Sequence, residues 1–336
     1  MNPPPATIDR DTAATSLAMR PENPMGVEEC WMDLNGARLR YLRAGSGPAL
    51  VLLHGLMGYS FSWRYAMPAL APYRTVYAPD LLGAGFSDRP RIDHSMHATA
   101  IRVLKFVENL GVTSVDLLGT SRGGAVAMCV ASQCADRNSK RSDRSSSREN
   151  DCRNLQIRSL VLVAPVNPYS THGRWLAPFC GSRLGSPLAR ATVESMPWLY
   201  PFFHSRLYAD KARIPAGSLE GYKAPLTIPG LWDHALSIVR TWTADLRELE
   251  ALLPNLSKIP TLLMWGEKDP AVYASSIEPL SRYFSNCTKV VFPGVGHLPY
   301  EECAEDFNRE LIRFLTSAVP DAPVSAASRV AGTGHD

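Results

Sequence analysis

The stretch that most constrains this chain is Ser114 to Gly124, Ser-Val-Asp-Leu-Leu-Gly-Thr-Ser-Arg-Gly-Gly. Val115, Leu117 and Leu118 make a short apolar run of strand type, and Ala125 to Cys134 are small or apolar helix formers. The turn between them therefore holds Gly119-Thr120-Ser121-Arg122-Gly123, a G-x-S-x-G between a strand and a helix. A turn sharp enough to lift a serine hydroxyl clear of a sheet strains the serine backbone. It also crowds the residues two before and two after, where only tiny side chains fit. Gly119 and Gly123 stand at those two positions, with Gly124 beside them. A helix starting at the serine also points free N–H groups and the positive end of its dipole at the serine oxygen. Three fixed letters recur by chance, so the weight of the motif lies in its surroundings.

Those surroundings alternate strands with helices. Asn35-Gly36 separates Glu28–Leu34 from the alternating Arg38–Arg43, a hairpin signal with one polar face. Ala49–Leu53 is a continuous apolar run, as expected of a parallel strand buried on both faces, and it ends at His54-Gly55-Leu56-Met57-Gly58. Thr75–Ala78 predicts a further strand that runs into the loop Asp80–Asp88, and Ile101–Leu110 predicts a helix stopped by Gly111. After the helix that follows Ser121, Asp136–Asn154 is almost wholly polar and predicts a solvated, disordered loop. Leu160–Val163, Pro260–Trp265 and Lys289–Phe292 complete the strands, and Glu302–Leu315 predicts a final amphipathic helix.

The pattern predicts a doubly wound, mostly parallel sheet led by an antiparallel hairpin. The core is expected over residues 26–165 and 250–318, with a loop insertion at 136–154 and a helical lid over 166–249. That lid segment carries many aromatics, among them Trp175, Phe179, Trp198, Phe202, Phe203, Tyr208 and Tyr222. Most are expected to seal the segment onto the sheet and a minority to line an apolar pocket. Residues 1–25 and 319–336 read as a flexible leader and a disordered tail.

Composition excludes several classes. The formal charge of +3 in 336 residues gives no basic face of the kind a nucleic-acid binder needs. No run is long enough to span a membrane, and the start of the chain has no basic-then-apolar signal, so a cytoplasmic protein is expected. Seven cysteines, odd in number and without C-x-x-C spacing, fit reduced thiols used as small apolar groups. The histidines have no paired metal spacing, so no metal and no cofactor is expected. Gly83-Ala84-Gly85 follows a strand but leads to no helix with a third glycine, which argues against a dinucleotide loop.

Ligands of such sheets sit at the carboxyl ends of the strands. Three chemically capable groups lie at such ends: Ser121, then Asp269 in Gly266-Glu267-Lys268-Asp269-Pro270, then His297 in Gly294-Val295-Gly296-His297. With the His54-Gly55 turn and the Asp80–Asp88 loop, these segments resemble the α/β-hydrolase superfamily, in its lidded esterase, C–C hydrolase and haloperoxidase branch. The resemblance runs from about Val27 to Leu315.

The resemblance implies that Ser121 is a nucleophile, His297 its general base and Asp269 the acid that orients the imidazole. Glu267 remains an alternative partner for His297, with Asp269 as a helix cap. Backbone N–H groups of Leu56 and Arg122 would form the oxyanion hole, while His54 would brace that turn. The expected activity is cleavage of a carboxylic ester of a small apolar or aromatic substrate through an acyl-enzyme. C–C bond hydrolysis of ring-cleavage products, cofactor-free haloperoxidase or perhydrolase activity, and acyl transfer to an alcohol are the alternatives within enzymes, and a small-molecule binding module is the non-enzyme alternative. Haloalkane dehalogenases and epoxide hydrolases of this superfamily put an aspartate at the elbow, which Ser121 does not replace. Arg122 departs from the usual apolar or amide side chain at its position; it reads either as part of a salt bridge under the lid or as a clamp for a substrate carboxylate.

Overall fold

The protein is described by a computed structural model covering residues 20–139, 155–170, 177–182, 184–196 and 198–317. Its strands are β1 (Val27–Leu34), β2 (Ala37–Ala44), β3 (Ala49–Leu53), β4 (Thr75–Pro79), β5 (Ser114–Thr120), β6 (Gln156–Val163), β7 (Thr261–Gly266) and β8 (Cys287–Phe292). They form one sheet in the order β1-β2-β4-β3-β5-β6-β7-β8. The β1–β2 and β2–β4 pairs are antiparallel, and every pair from β4 through β8 is parallel. The helices outside the long connection are α1 (Ala66–Leu70), α2 (Met96–Asn109) and α3 (Arg122–Ser139) before it. Between β6 and β7 lie α4 (Ala177–Gly181), α5 (Gly185–Ser195), α6 (Leu199–Arg206), α7 (Ser218–Lys223) and α8 (Leu231–Leu252). α9 (Ile277–Ser281), α10 (Pro299–Glu302) and α11 (Ala304–Ser317) follow.

Strand side chains alternate between two faces, and each face has its own helices. Val51, Leu53, Leu117 and Leu162 pack with Val103, Val126, Val130 and Leu249 of α2, α3 and α8. Their sequence neighbours Leu50, Leu52, Leu118 and Val161 pack with Trp63, Met67, Phe307 and Leu311 on the opposite side. Because both faces of the central strands are covered, Ala49–Leu53 can be apolar throughout.

Two element boundaries differ from the apolar pattern for identifiable reasons. α2 begins five residues before Ile101 because Ser95 caps it, its Oγ accepting from Ala98 N at 3.3 Å. β6 begins at Gln156 rather than Leu160 because its polar residues have a buried partner on β5. Asp116, fully buried, accepts from Arg74 Nε at 3.2 Å, from Ser159 Oγ at 2.8 Å and from Arg158. A buried carboxylate is tolerated only when paired in this way.

Residues 1–19 of the expected leader, 140–154 of the expected loop and 319–336 of the expected tail lie outside the described residues, as does Trp175; residues 136–139, expected as loop, instead continue α3. Residues 20–25 run beside β1, where Arg20 pairs with Glu29 at 2.5 Å and stacks over Phe86. The aromatics between β6 and β7 do not all serve as core. Tyr208 and Tyr222 are buried, but Phe179, Trp198, Phe202 and Phe203 are 53%, 61%, 46% and 60% exposed. Aromatic content alone does not say which side of an amphipathic segment faces solvent.

Candidate active site

The elbow is built from backbone crowding. Ser121 has φ +52°, a left-handed conformation that costs an ordinary side chain about 1 kcal/mol or more. Its N–H donates to Val163 O at 2.9 Å and its carbonyl accepts from Val166 N at 2.9 Å, so neighbouring chain on β6 and beyond holds the strained residue. A Cβ on Gly119 would lie 2.3 Å from Gly123 O, and one on Gly123 would lie 2.3 Å from Leu53 O. Both glycines are there because backbone passes through the space a methyl group would take.

The His54–Gly58 turn lies directly against this serine: a Cβ on Gly55 would be 3.1 Å from Ser121 Cβ. Gly58 N–H donates to Gly55 O at 3.1 Å, and Met57 takes φ +61° inside the turn. His54 fixes it from below. Leu81 N–H donates to His54 Nε2 at 3.0 Å, which makes Nε2 the acceptor and leaves Nδ1–H to donate to Gly55 O at 2.9 Å. Burial lowers the His54 pKa and keeps the ring in this neutral form, although the Gly55 hydrogen bond works the other way. Arg122 is the first residue of α3, so its N–H is one of those a helix leaves without an intrahelical acceptor.

The next loop is organised by Asp80, which is fully buried after β4. It accepts from Ser60 N at 2.8 Å, Phe86 N at 2.9 Å and Arg40 Nη1 at 3.1 Å. The approach is close enough that a Cβ on Gly85 would lie 2.4 Å from Asp80 Oδ2. The loop that presses on the His54 turn is thereby held rigid.

In the loops after β7 and β8, His297 Nδ1 lies 2.7 Å from Asp269 Oδ2. Asp269 Oδ1 accepts from Ala271 N at 2.8 Å and Val272 N at 2.9 Å, which aims the other oxygen at the imidazole. Both residues are buried. Since the carboxylate accepts, Nδ1 carries the proton and Nε2 keeps its lone pair. Glu267 is engaged elsewhere, accepting from Gly294 N at 2.9 Å. Asp269 thus pairs with His297 and caps the following turn at once, so the two alternatives for it are not exclusive.

Arg122 turns its side chain into the protein. The guanidinium is buried, with Nη2 donating to His94 O at 2.6 Å and lying 3.4 Å from Thr99 Oγ1. Burial pushes its pKa down to about 10, partly offset by Asp245.

Sequence reasoning did not single out Glu301. It is buried four residues after His297 and accepts from both terminal nitrogens of Arg64 at 2.9 and 2.7 Å, from Tyr208 OH at 2.7 Å, from Ser218 Oγ at 2.9 Å and from Tyr222 OH. Its neighbour Glu302 accepts from Gly296 N at 2.8 Å and from Ala209 N and Asp210 N. His297 N–H in turn donates to Leu207 O at 2.7 Å. The histidine loop is therefore fastened to the segment between β6 and β7. A pair of glutamates just after G-x-G-H was the available signal, but at the head of a helix it reads first as dipole compensation.

Known proteins bear on this arrangement. The profile described as "Alpha/beta hydrolase family" matches residues 50–310. The chain is 28% identical over 287 residues to the dihydrolipoyllysine-residue acetyltransferase component of the acetoin cleaving system of Pseudomonas putida, covering 84% of this chain and 68% of that one. It is 27% identical over 296 residues to haloalkane dehalogenase 2 of Mycobacterium tuberculosis, covering 83% of this chain and 91% of that protein. Among solved structures, the epoxide hydrolase CorEH superposes with a TM-score of 0.70 at 23% identity, covering 86% and 98% of the two chains. A meta-cleavage product hydrolase, CumD, does so with a TM-score of 0.63 at 22% identity, covering 85% and 97%. At these identities the structural matches speak for the fold alone. Among the described residues, no helix is long and apolar enough to cross a membrane.

Proposed function

Since this chain belongs to the alpha/beta hydrolase family, we propose that it is a serine hydrolase that cleaves a carboxylic ester of a small apolar or aromatic substrate through an acyl-enzyme. The observation that carries the reading is the buried His297–Asp269 pair at 2.7 Å, which leaves His297 Nε2 free to act as a base. In this reading Nε2 takes the Ser121 hydroxyl proton as Oγ attacks the ester carbonyl, and returns it to the departing alcohol. Asp269 holds the imidazole tautomer and stabilises the imidazolium while it exists. Water then repeats the sequence on the acyl-enzyme. The N–H groups of Leu56 and Arg122 would take the developing negative oxygen, each contributing about 3 kcal/mol to the transition state.

A mechanism through an alkyl ester, as carbon–halogen or epoxide cleavage would require, needs a carboxylate at the elbow, and this chain has a hydroxyl there. The hydroxyl disfavours those two chemistries of the wider family and supports acyl transfer. The test combines active-site mass spectrometry after a fluorophosphonate probe with rates on p-nitrophenyl esters of increasing chain length. Labelling confined to Ser121, abolished in Ser121→Ala and His297→Ala, is expected. Asp269→Asn is expected to lower kcat by about 10⁴-fold, since it leaves the wrong tautomer. A folded protein that neither labels nor turns over esters would be a binding module instead.

A further inference from the structure

We propose that the chain carries a second, non-catalytic site, a zinc-type metal clamp formed by His97, Cys129 and Glu248 on three different helices. His97 lies in the first turn of α2, Cys129 in the middle of α3 and Glu248 near the end of α8. The imidazole nitrogen, the thiol sulfur and a carboxylate oxygen all lie within 4.8 Å of one another. Ligands drawn from three helices leave no trace in sequence spacing, which is why the histidine pattern gave no sign of them.

The geometry is close to what a tetrahedral metal needs. With metal–nitrogen and metal–oxygen distances near 2.1 Å, ligand N and O atoms stand about 3.4 Å apart, and N and S about 3.6 Å. His97 Nδ1 and Glu248 Oε1 are now 2.9 Å apart with a proton between them. Replacing that proton by a metal opens the pair by about 0.5 Å. The sulfur must close in by no more than about 1.2 Å, within reach of a small change at the Cys129 side chain. A solvent molecule would complete the set, since His97 and Glu248 are exposed at the mouth while Cys129 is buried at the floor.

The surroundings suit a cation. Gln133, one helical turn after Cys129, points its amide Nε2 at the sulfur at 3.5 Å and would donate to a thiolate. Burial, together with the Glu248 and Asp245 carboxylates, pushes the Cys129 thiol up to about 12, against the Gln133 contact. Those same carboxylates are an incentive for a divalent ion, which would be attracted by both. Imidazole, thiolate and carboxylate together select a borderline-soft ion such as Zn²⁺ over Mg²⁺ or Ca²⁺. Binding is balanced as Zn²⁺ plus the neutral thiol giving the zinc thiolate and one proton, while the His97 proton moves to Nε2. The consequence is mechanical: the metal would pin the end of α8, the last helix of the segment between β6 and β7, to core helices α2 and α3.

The experiment uses the full chain carrying His297→Ala, so that zinc at the proposed catalytic base is not counted. Zn²⁺ is titrated by calorimetry in two buffers of different ionisation enthalpy, and Co²⁺ is followed by its thiolate charge-transfer absorption. One equivalent of Zn²⁺ with release of about one proton is expected, with a thiolate–Co²⁺ band and a raised Tm. His97→Ala, an exposed change, and Cys129→Ser should each weaken binding at least tenfold. Cys134→Ser on the same helix should leave it unaltered. Absence of binding, binding without the thiolate band, or equal affinity in His97→Ala would each overturn the proposal. Because none of these readouts depends on ester turnover, they stand or fall separately from the proposed hydrolase activity.

Discussion

Two of the polar clusters where the segment between β6 and β7 meets the core differ in how completely their hydrogen-bonding groups are satisfied. At Glu301 a buried carboxylate takes both arms of Arg64 and three hydroxyls, of Tyr208, Ser218 and Tyr222. Burial alone would raise its pKa, but Arg64 and the tyrosines more than offset this and hold it below the ordinary carboxylate value. At the other cluster, His94 of the core and His234 of α8 meet edge to face with ring centroids 4.4 Å apart, both buried and both with an Nδ1 that has no hydrogen-bond partner. A saturated network fixes one geometry, whereas a pair of rings each with an unpartnered buried nitrogen is stable only while both stay neutral. The first holds the His297 loop, so the rigid seam is placed where the proposed chemistry needs a fixed imidazole.

The largest effect should come from breaking the saturated cluster. Glu301→Gln leaves the Arg64 guanidinium buried without its counter-charge and is expected to cost about 3 kcal/mol or more in urea unfolding. Adding Arg64→Met should recover part of that loss, which would show that the unpaired charge, rather than the missing contacts, is the cost. Next is Gly296→Ala. A Cβ there would lie 2.4 Å from Leu207 O and 2.7 Å from Ala209 N, both backbone atoms that cannot swing aside. A displacement of His297 by about 1 Å should lower kcat/KM by about 10²-fold on p-nitrophenyl esters, with a loss of about 1–3 kcal/mol in fluorescence-monitored stability from the forced backbone shift.

Acid should separate the two clusters without any substitution. Burial, with Arg102 and Arg122 adding to it, pushes His94 down to about 4; burial, then His94, Arg122, His54 and Arg89, pushes His234 well below its ordinary value of 6.5. Asp93 and the backbone of Pro90 act in the opposite sense on His94. Below pH 6.5 the unfolded chain binds protons that these folded rings refuse, so stability falls as pH drops from 6.5 toward about 4. The lowered Glu301 pKa works in a different window: its contribution is complete above 4.5 and is lost only as pH falls through the folded value. His234→Phe keeps an aromatic ring at the contact and should flatten the loss of Tm between pH 7 and pH 5. An unaltered slope in that variant would mean that the histidine contact does not set the acid limit.

The difference between the clusters also explains what could be read from the sequence. The succession of strands, the elbow glycines and the His54 turn were legible because each is a local requirement of backbone at a strand end, whereas Asp269 was reached through the family resemblance with Glu267 left open, and the fold puts Asp269 against His297. Glu301 was not, because its partners Arg64, Tyr208, Ser218 and Tyr222 come from distant parts of the chain and only folding brings them together. His94 and His234 were noticed only as unpaired for metal binding, which says nothing of a 4.4 Å contact across 140 residues. The exposed Trp198, Phe202 and Phe203 show the same limit from the other side, since burial is a property of neighbours.

Arg122 joins the histidine cluster to the elbow, and its replacement should have the smallest effect. The sequence allowed it to be a clamp for a substrate carboxylate, but its guanidinium is spent on His94 O and lies near Thr99. Its charge also presses on both histidines and helps to keep them neutral. Arg122→Gln is therefore expected to leave the ratio of rates on acidic and neutral esters unchanged. It should let His94 and His234 protonate more readily, bringing their folded pKa values closer to 6.5 and making the acid loss of Tm slightly shallower. A selective fall in rate on acidic esters would return Arg122 to substrate recognition and would require its guanidinium to leave His94 when substrate binds.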